Sequence, residues 1–154
     1  RHAIIEKISR LGWHIVVYFE TDDLPGIEDF LKDVPIPVVI DHMGRVPVEG
    51  GPESAAFARL ASLIEGDDKF WVKVSGSERL SDAGPPYSDV DRIAHALVAL
   101  KRDRVLWGTD WPHPNMKSHV PDDGLLVDRL GVICPDPADL HRLLVDNPAD
   151  LYWR

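Results

Sequence analysis

The chain has 154 residues, 44% apolar and 28% charged, with a net charge of −9. This is enough chain for one globular core of domain size, and no apolar run is long enough for a membrane-spanning helix. The excess of acid excludes nucleic acid and anionic membrane as main partners. The single cysteine, Cys134, excludes a disulfide framework and a multi-cysteine zinc site.

Residues 1–11 place Ile4, Ile5, Ile8 and Leu11 at helical spacing, and Gly12 stops the helix. This opening has no long apolar core of a secretion signal, so a cytoplasmic protein is expected. Residues 13–19 (WHIVVYF) are a continuous apolar run, which predicts a strand buried on both faces. A helix is expected over 23–33, with Thr21 or Asp22 as its cap. A second buried strand follows at 38–41. Pro47, Gly50, Gly51 and Pro52 mark a loop before an amphipathic helix at 53–65. Residues 70–75 predict a third strand, 76–86 a long loop, and 88–101 a helix capped by Ser88. Residues 104–109 predict a fourth strand. Two helices near 122–131 and 136–146 and a last turn at 148–153 close the chain.

Strand and helix alternate, which calls for a parallel sheet with right-handed crossovers. The expected strand centres, near 16, 39, 73 and 107, are about 23, 34 and 34 residues apart. An eight-stranded α/β barrel uses roughly 31 residues per unit. The fold class is therefore α/β, of the parallel (β/α) barrel type, with four units of eight. No glycine-rich phosphate loop follows any strand, which disfavours a nucleotide-binding sheet. Residues 1–154 read as a single α/β domain.

In parallel α/β folds the chemistry sits at the carboxyl ends of the strands. Here those ends carry Tyr18-Phe19-Glu20, Asp41-His42-Met43-Gly44-Arg45, Lys73-Val74-Ser75-Gly76 with Glu78 and Arg79, and Thr109-Asp110-Trp111-Pro112-His113. All four ends deliver polar chemistry, where chance would supply one or two. Asp110 can act as a general base on water, or can simply accept loop N–H groups. His42 can polarise a carbonyl, bind metal or move a proton, or be a satisfied core histidine. Arg79 can fork a carboxylate, or pair with Glu78 or Asp82. Lys73 and Arg45 gain interest because an anionic substrate needs local cations in so acidic a chain. Tyr18 is by residue type more often core than ligand, and His113 lines a pocket or caps its loop. Ser75 and Ser77 sit in no nucleophile elbow, which argues against a serine nucleophile. Cys134 reads as a buried structural thiol. His14 lies at the amino end of its strand, away from the chemistry.

Four segments stand out together: V-I-D-H-M-G-R (39–45), K-V-S-G-S-E-R-L-S (73–81), W-G-T-D-W-P-H-P-N (107–115) and D-N-P-A-D-L-Y (146–152). They resemble the amidohydrolase superfamily in its amidohydrolase 2 branch, and in particular its lactonases of aromatic degradation. The resemblance implies a distorted eight-stranded barrel, of which these are the last four units. By that likeness Asp110 is the general base, His42 the histidine after strand six, Arg79 the carboxylate-binding arginine and Tyr18 the pocket tyrosine; the residue reading adds His113 to the substrate-binding set. The family's paired histidines of strand one are absent. An N-terminal half is therefore expected to precede Arg1, which stands where a Met would open a complete chain.

Metal-dependent relatives carry a histidine at the strand-five tip, where this chain has Val17-Tyr18-Phe19. A phenol is a poor ligand near neutral pH, and His42 with Asp110 falls short of three protein ligands. The expectation is metal-independent hydrolysis of a small anionic lactone, 2-pyrone-4,6-dicarboxylate first among them, with no cofactor. The alternatives are a zinc- or manganese-dependent amidohydrolase or decarboxylase, and a non-catalytic half-barrel that binds ligand or assembles. An open half-barrel exposes sheet edges and an apolar face, so self-association is expected.

Overall fold

The computed structural model describes residues 2–153, except residues 115 and 118 and the side chain of His2. Arg1 and Asn115, which ends the third motif, lie outside the described residues. The helix α1 (His2–Ser9) leads into β1 (Ile15–Val17), then α2 (Leu24–Asp33) and β2 (Val38–Ile40). The helix α3 (Ala55–Gly66) precedes β3 (Phe70–Val74), and α4 (Ser77–Leu80) and α5 (Asp91–Leu100) precede β4 (Val105–Trp107). The short helices α6 (Asp123–Asp128), α7 (Leu130–Ile133), α8 (Pro137–His141) and α9 (Asn147–Tyr152) follow.

The strands form one sheet in the order β1-β2-β3-β4, every pair parallel, with Val16 opposite Val39, Val39 opposite Trp71 and Val74 opposite Trp107. A doubly wound sheet reverses its strand order at a switch point. This sheet never reverses, as in one arc of a barrel. Side chains alternate between its faces. Val38, Ile40, Phe70, Val72, Val74 and Val105 pack under the helices with Leu31, Leu60, Ile64, Ile93 and Leu97 in the main core. On the opposite face Val39, Trp71 and Leu106 form a second, small cluster covered by Leu151 of α9. Asn147 places that helix, because its buried side chain donates to the carbonyls of Arg102 (2.8 Å) and Val105 (2.7 Å). The Asp-Asn-Pro segment thus fastens the chain's end to the entry of β4.

Several local expectations change. β1 is not buried on both faces, for Val16 is 49% exposed on the sheet's open edge. Neither Thr21 nor Asp22 caps α2. Thr21 lies in a 3-10 turn and donates its hydroxyl to the Gly44 carbonyl at 2.5 Å. Ser88 does not cap α5, whereas Ser54, Asp122 and Asp136 cap α3, α6 and α8 through their side chains. The expected loop at 76–86 contains α4. The helix expected over 136–146 widens into a π turn at Arg142–Asp146.

Candidate active site

The residues that leave the sheet at its carboxyl ends do so through backbone that side chains rarely adopt. After β2 the chain turns left-handed at His42 (φ 47°), Met43 (55°), Gly44 (58°) and Arg45 (54°). After β4 the same conformation recurs at Asp110 (φ 69°) and His113 (φ 56°). Non-glycine residues at positive φ are uncommon, and such strain concentrates at functional sites.

The strand ends gather all five sequence-predicted residues, with a His113 nitrogen within 4.8 Å of an Asp110 carboxylate oxygen. Asp110 lies between a guanidinium and an imidazole, with Oδ2 at 2.5 Å from Arg79 Nε and Oδ1 at 3.6 Å from His42 Nε2. The Tyr18 ring meets His42 edge-on, with centroids 5.8 Å apart. His42 is buried, and desolvation pulls its pKa below the ordinary histidine value. Asp41 and then Asp110 oppose that shift, while Arg79 and Lys73 add to it. Arg79, expected to be open to a substrate carboxylate, spends its Nε on Asp110 instead. Arg45 braces this arrangement from behind, with its Nη1 donating to the Arg79 carbonyl at 2.7 Å and its Nε donating to Glu20. Lys73 sets its ammonium 3.0 Å from Asp41 Oδ1, a charge pair outside hydrogen-bond alignment.

Of the two places open to it, His113 takes the one that holds its loop. Its ring is buried, with Nδ1 3.2 Å from Glu78 Oε1 and Nε2 3.2 Å from Asp123 Oδ1. It therefore ties the loop after β4 to α4 and α6 rather than facing an opening. Sequence reasoning missed two participants, Ser75 and Glu78. Ser75 Oγ lies 2.9 Å from His42 Nδ1. The Glu78 carboxylate is fully buried, with Oε2 lacking a hydrogen-bond partner among the described residues.

Glu78, Asp110 and His113 offer ligand atoms within 4.8 Å of one another, close enough to consider a metal ion. The charges already present argue against the fit. Arg79 serves Asp110 directly and stands 3.9 Å from Glu78, and both nitrogens of His113 face carboxylates. A divalent ion would have to enter beside a fixed guanidinium.

A parallel, unreversed sheet with its polar residues gathered at the carboxyl ends of the strands is the arrangement of one arc of an α/β barrel. The amidohydrolase family model matches residues 1–154, and the chain belongs to that family. It is 49% identical to the 2-pyrone-4,6-dicarboxylate hydrolase of Comamonas testosteroni, over 97% of this chain and 52% of that protein. It is 41% identical to the 4-sulfomuconolactone hydrolase of Rhizobium radiobacter, over 92% of this chain and 48% of that one. An apo crystal structure from Agrobacterium tumefaciens superposes with a TM-score of 0.82 at 29% identity, covering 99% of this chain and 55% of its own. The chain thus spans about half the length of the relatives it matches, and its four strands correspond to half of a barrel.

Proposed function

We propose that the chain is the C-terminal half, as one α/β domain, of a metal-independent lactonase acting on a carboxylate-bearing lactone in aromatic degradation, with 2-pyrone-4,6-dicarboxylate as substrate. The observation that carries this reading is the Asp110 carboxylate, held on strained backbone between Arg79 and His42 at the strand ends. Asp110 takes a proton from water as its oxygen attacks the lactone carbonyl. His42 stabilises the negative charge that develops on the carbonyl oxygen. The ring C–O bond then breaks, and the ring oxygen leaves with the proton that Asp110 took from water, which returns Asp110 to its carboxylate form. The terminal nitrogens of Arg79 orient a substrate carboxylate, Tyr18 shapes the pocket, and His113 holds the loop that carries Asp110. The likeness to a pyrone dicarboxylate hydrolase and a sulfomuconolactone hydrolase supports an anionic lactone.

The test joins this chain to the complementary half of the Comamonas testosteroni relative and follows pyrone opening. Asp110→Asn is expected to lower turnover by about 10²- to 10⁴-fold, the usual worth of a general base. Unchanged turnover overturns the assignment. Metal independence is checked on the same assembly by elemental analysis with chelator treatment. Stoichiometric zinc or manganese, with activity lost to chelator, would replace this reading by a metal-dependent one. Among the described residues no helix is long and apolar enough to cross a membrane. A cytoplasmic location belongs to the same proposal.

A further inference from the structure

His42 has two ring nitrogens in opposite surroundings. Nδ1 faces Ser75 Oγ at 2.9 Å, both groups being buried. Nε2 faces two carboxylates, with Asp41 Oδ2 and Asp110 Oδ1 each 3.6 Å away. A neutral imidazole carries a proton on one nitrogen and a lone pair on the other. A lone pair at Nε2 would point at two anions, whereas a proton there points at two acceptors. Nδ1 must then accept, and a serine hydroxyl can rotate to donate to it. We infer that Ser75 is a positioning residue that holds His42 as its Nε2–H tautomer, turning the ring into a hydrogen-bond donor at the strand ends.

Local backbone makes the contact possible. Gly76 follows Ser75 at φ 69°, and a Cβ there would lie 2.8 Å from His42 Nδ1. Only a glycine lets the imidazole come so close to β3. The Tyr18 ring limits tilting from another side. The groups facing the ring are Asp41, Asp110, Arg79 and Lys73, and burial together with the two cations outweighs the two carboxylates and lowers its pKa. With Nε2 a donor and Nδ1 occupied, His42 has no free lone pair with which to take a proton from water, and that task falls to Asp110. The chemical use of the donor rests on the lactonase reading, but the tautomer does not.

The test is a long-range proton–nitrogen correlation spectrum of the 154-residue chain with ¹⁵N-labelled histidines, recorded at pH 8. His42→Asn assigns the signals by their loss. The expected result is a protonated Nε2 and an unprotonated Nδ1 whose resonance shows an accepted hydrogen bond. In Ser75→Ala the Nδ1 resonance moves to its unbonded position. Ser75→Cys, close in size and a weaker donor, gives an intermediate shift and serves if the alanine variant does not fold. A proton on Nδ1 in the unmodified chain, or an Nδ1 resonance unmoved in both variants, overturns the inference. Absent pyrone turnover in the joined enzyme, with this spectrum intact, supports the tautomer and removes the lactonase reading alone.

Discussion

Arg79 shows how one side chain can be singled out from sequence while its partner stays hidden. Its type and its place just beyond a strand end single it out, but the sequence cannot show that its Nε already holds Asp110 at 2.5 Å. On the proposed reading this guanidinium both braces Asp110 and forks a substrate carboxylate, and an ammonium, a point charge without the planar fork, does not replace it. Arg79→Lys in the joined enzyme is therefore expected to raise KM for a dicarboxylate lactone by about ten- to a hundredfold, the worth of a hydrogen bond to a charged group. Steady-state kinetics check this, and an unchanged KM would refute the carboxylate role. His42, Asp110 and Tyr18 were legible for the same reason as Arg79: polar type at the chemically active end of a parallel strand. Ser75 was not, because only its failure as a nucleophile could be judged locally. Its partner lies 33 residues away in sequence, beyond the end of the neighbouring strand. Which of its two places His113 takes was not legible, because its partners Glu78 and Asp123 lie 35 and 10 residues away in sequence.

At the level of elements, strands were easier to read than caps. Buried parallel strands are short apolar runs between breakers, and all four were found within a few residues of their ends. Capping depends on which of several Ser, Thr and Asp side chains the chain aims back at its own amides. The loop between α4 and α5 shows this well. Asp89, not Ser88, organises it: its carboxylate accepts from the Ser81 hydroxyl at 2.6 Å and from the amides of Asp82 (2.9 Å) and Ala83 (3.1 Å). Burial alone would push the Asp89 carboxyl up, but these hydrogen bonds outweigh it and hold the pKa below the ordinary aspartate value. The folded chain therefore binds this proton less readily than the unfolded chain. The resulting stability is present in full above the ordinary aspartate pKa, about 3.9, and is lost as pH falls through the lowered value. Asp89→Ala should destabilise the chain by about 1 kcal/mol at pH 7, a figure kept small because the carboxylate is partly open to solvent. Denaturant unfolding measures it, and the difference from the unmodified chain should shrink near pH 3.

For the whole molecule, the arithmetic of unit length pointed to half a barrel, and the unreversed sheet agrees with it. What composition and periodicity did not show is how the sheet's second face is covered. Val39, Trp71 and Leu106 lie beneath Leu151, while Val16, Tyr18 and Trp13 remain open toward the β1 edge. An apolar face beside an unpaired strand edge promotes association. Light scattering on the isolated chain is expected to give a mass above that of one copy, settling at that of a one-to-one complex as the complementary half is added. A monomer at all concentrations would show that α9 covers the face well enough.

Cys134, at the end of α7, gives the molecule a clock. It is the chain's single thiol; it is buried, and desolvation, with Asp139 and Asp136 nearby, pushes its pKa above the ordinary cysteine value. The reactive species is the thiolate, so a hidden and protonated sulfur waits for the chain to open around it. The pace at which a thiol reagent consumes Cys134 therefore counts how often the helical layer parts from the sheet, without any label introduced into the protein.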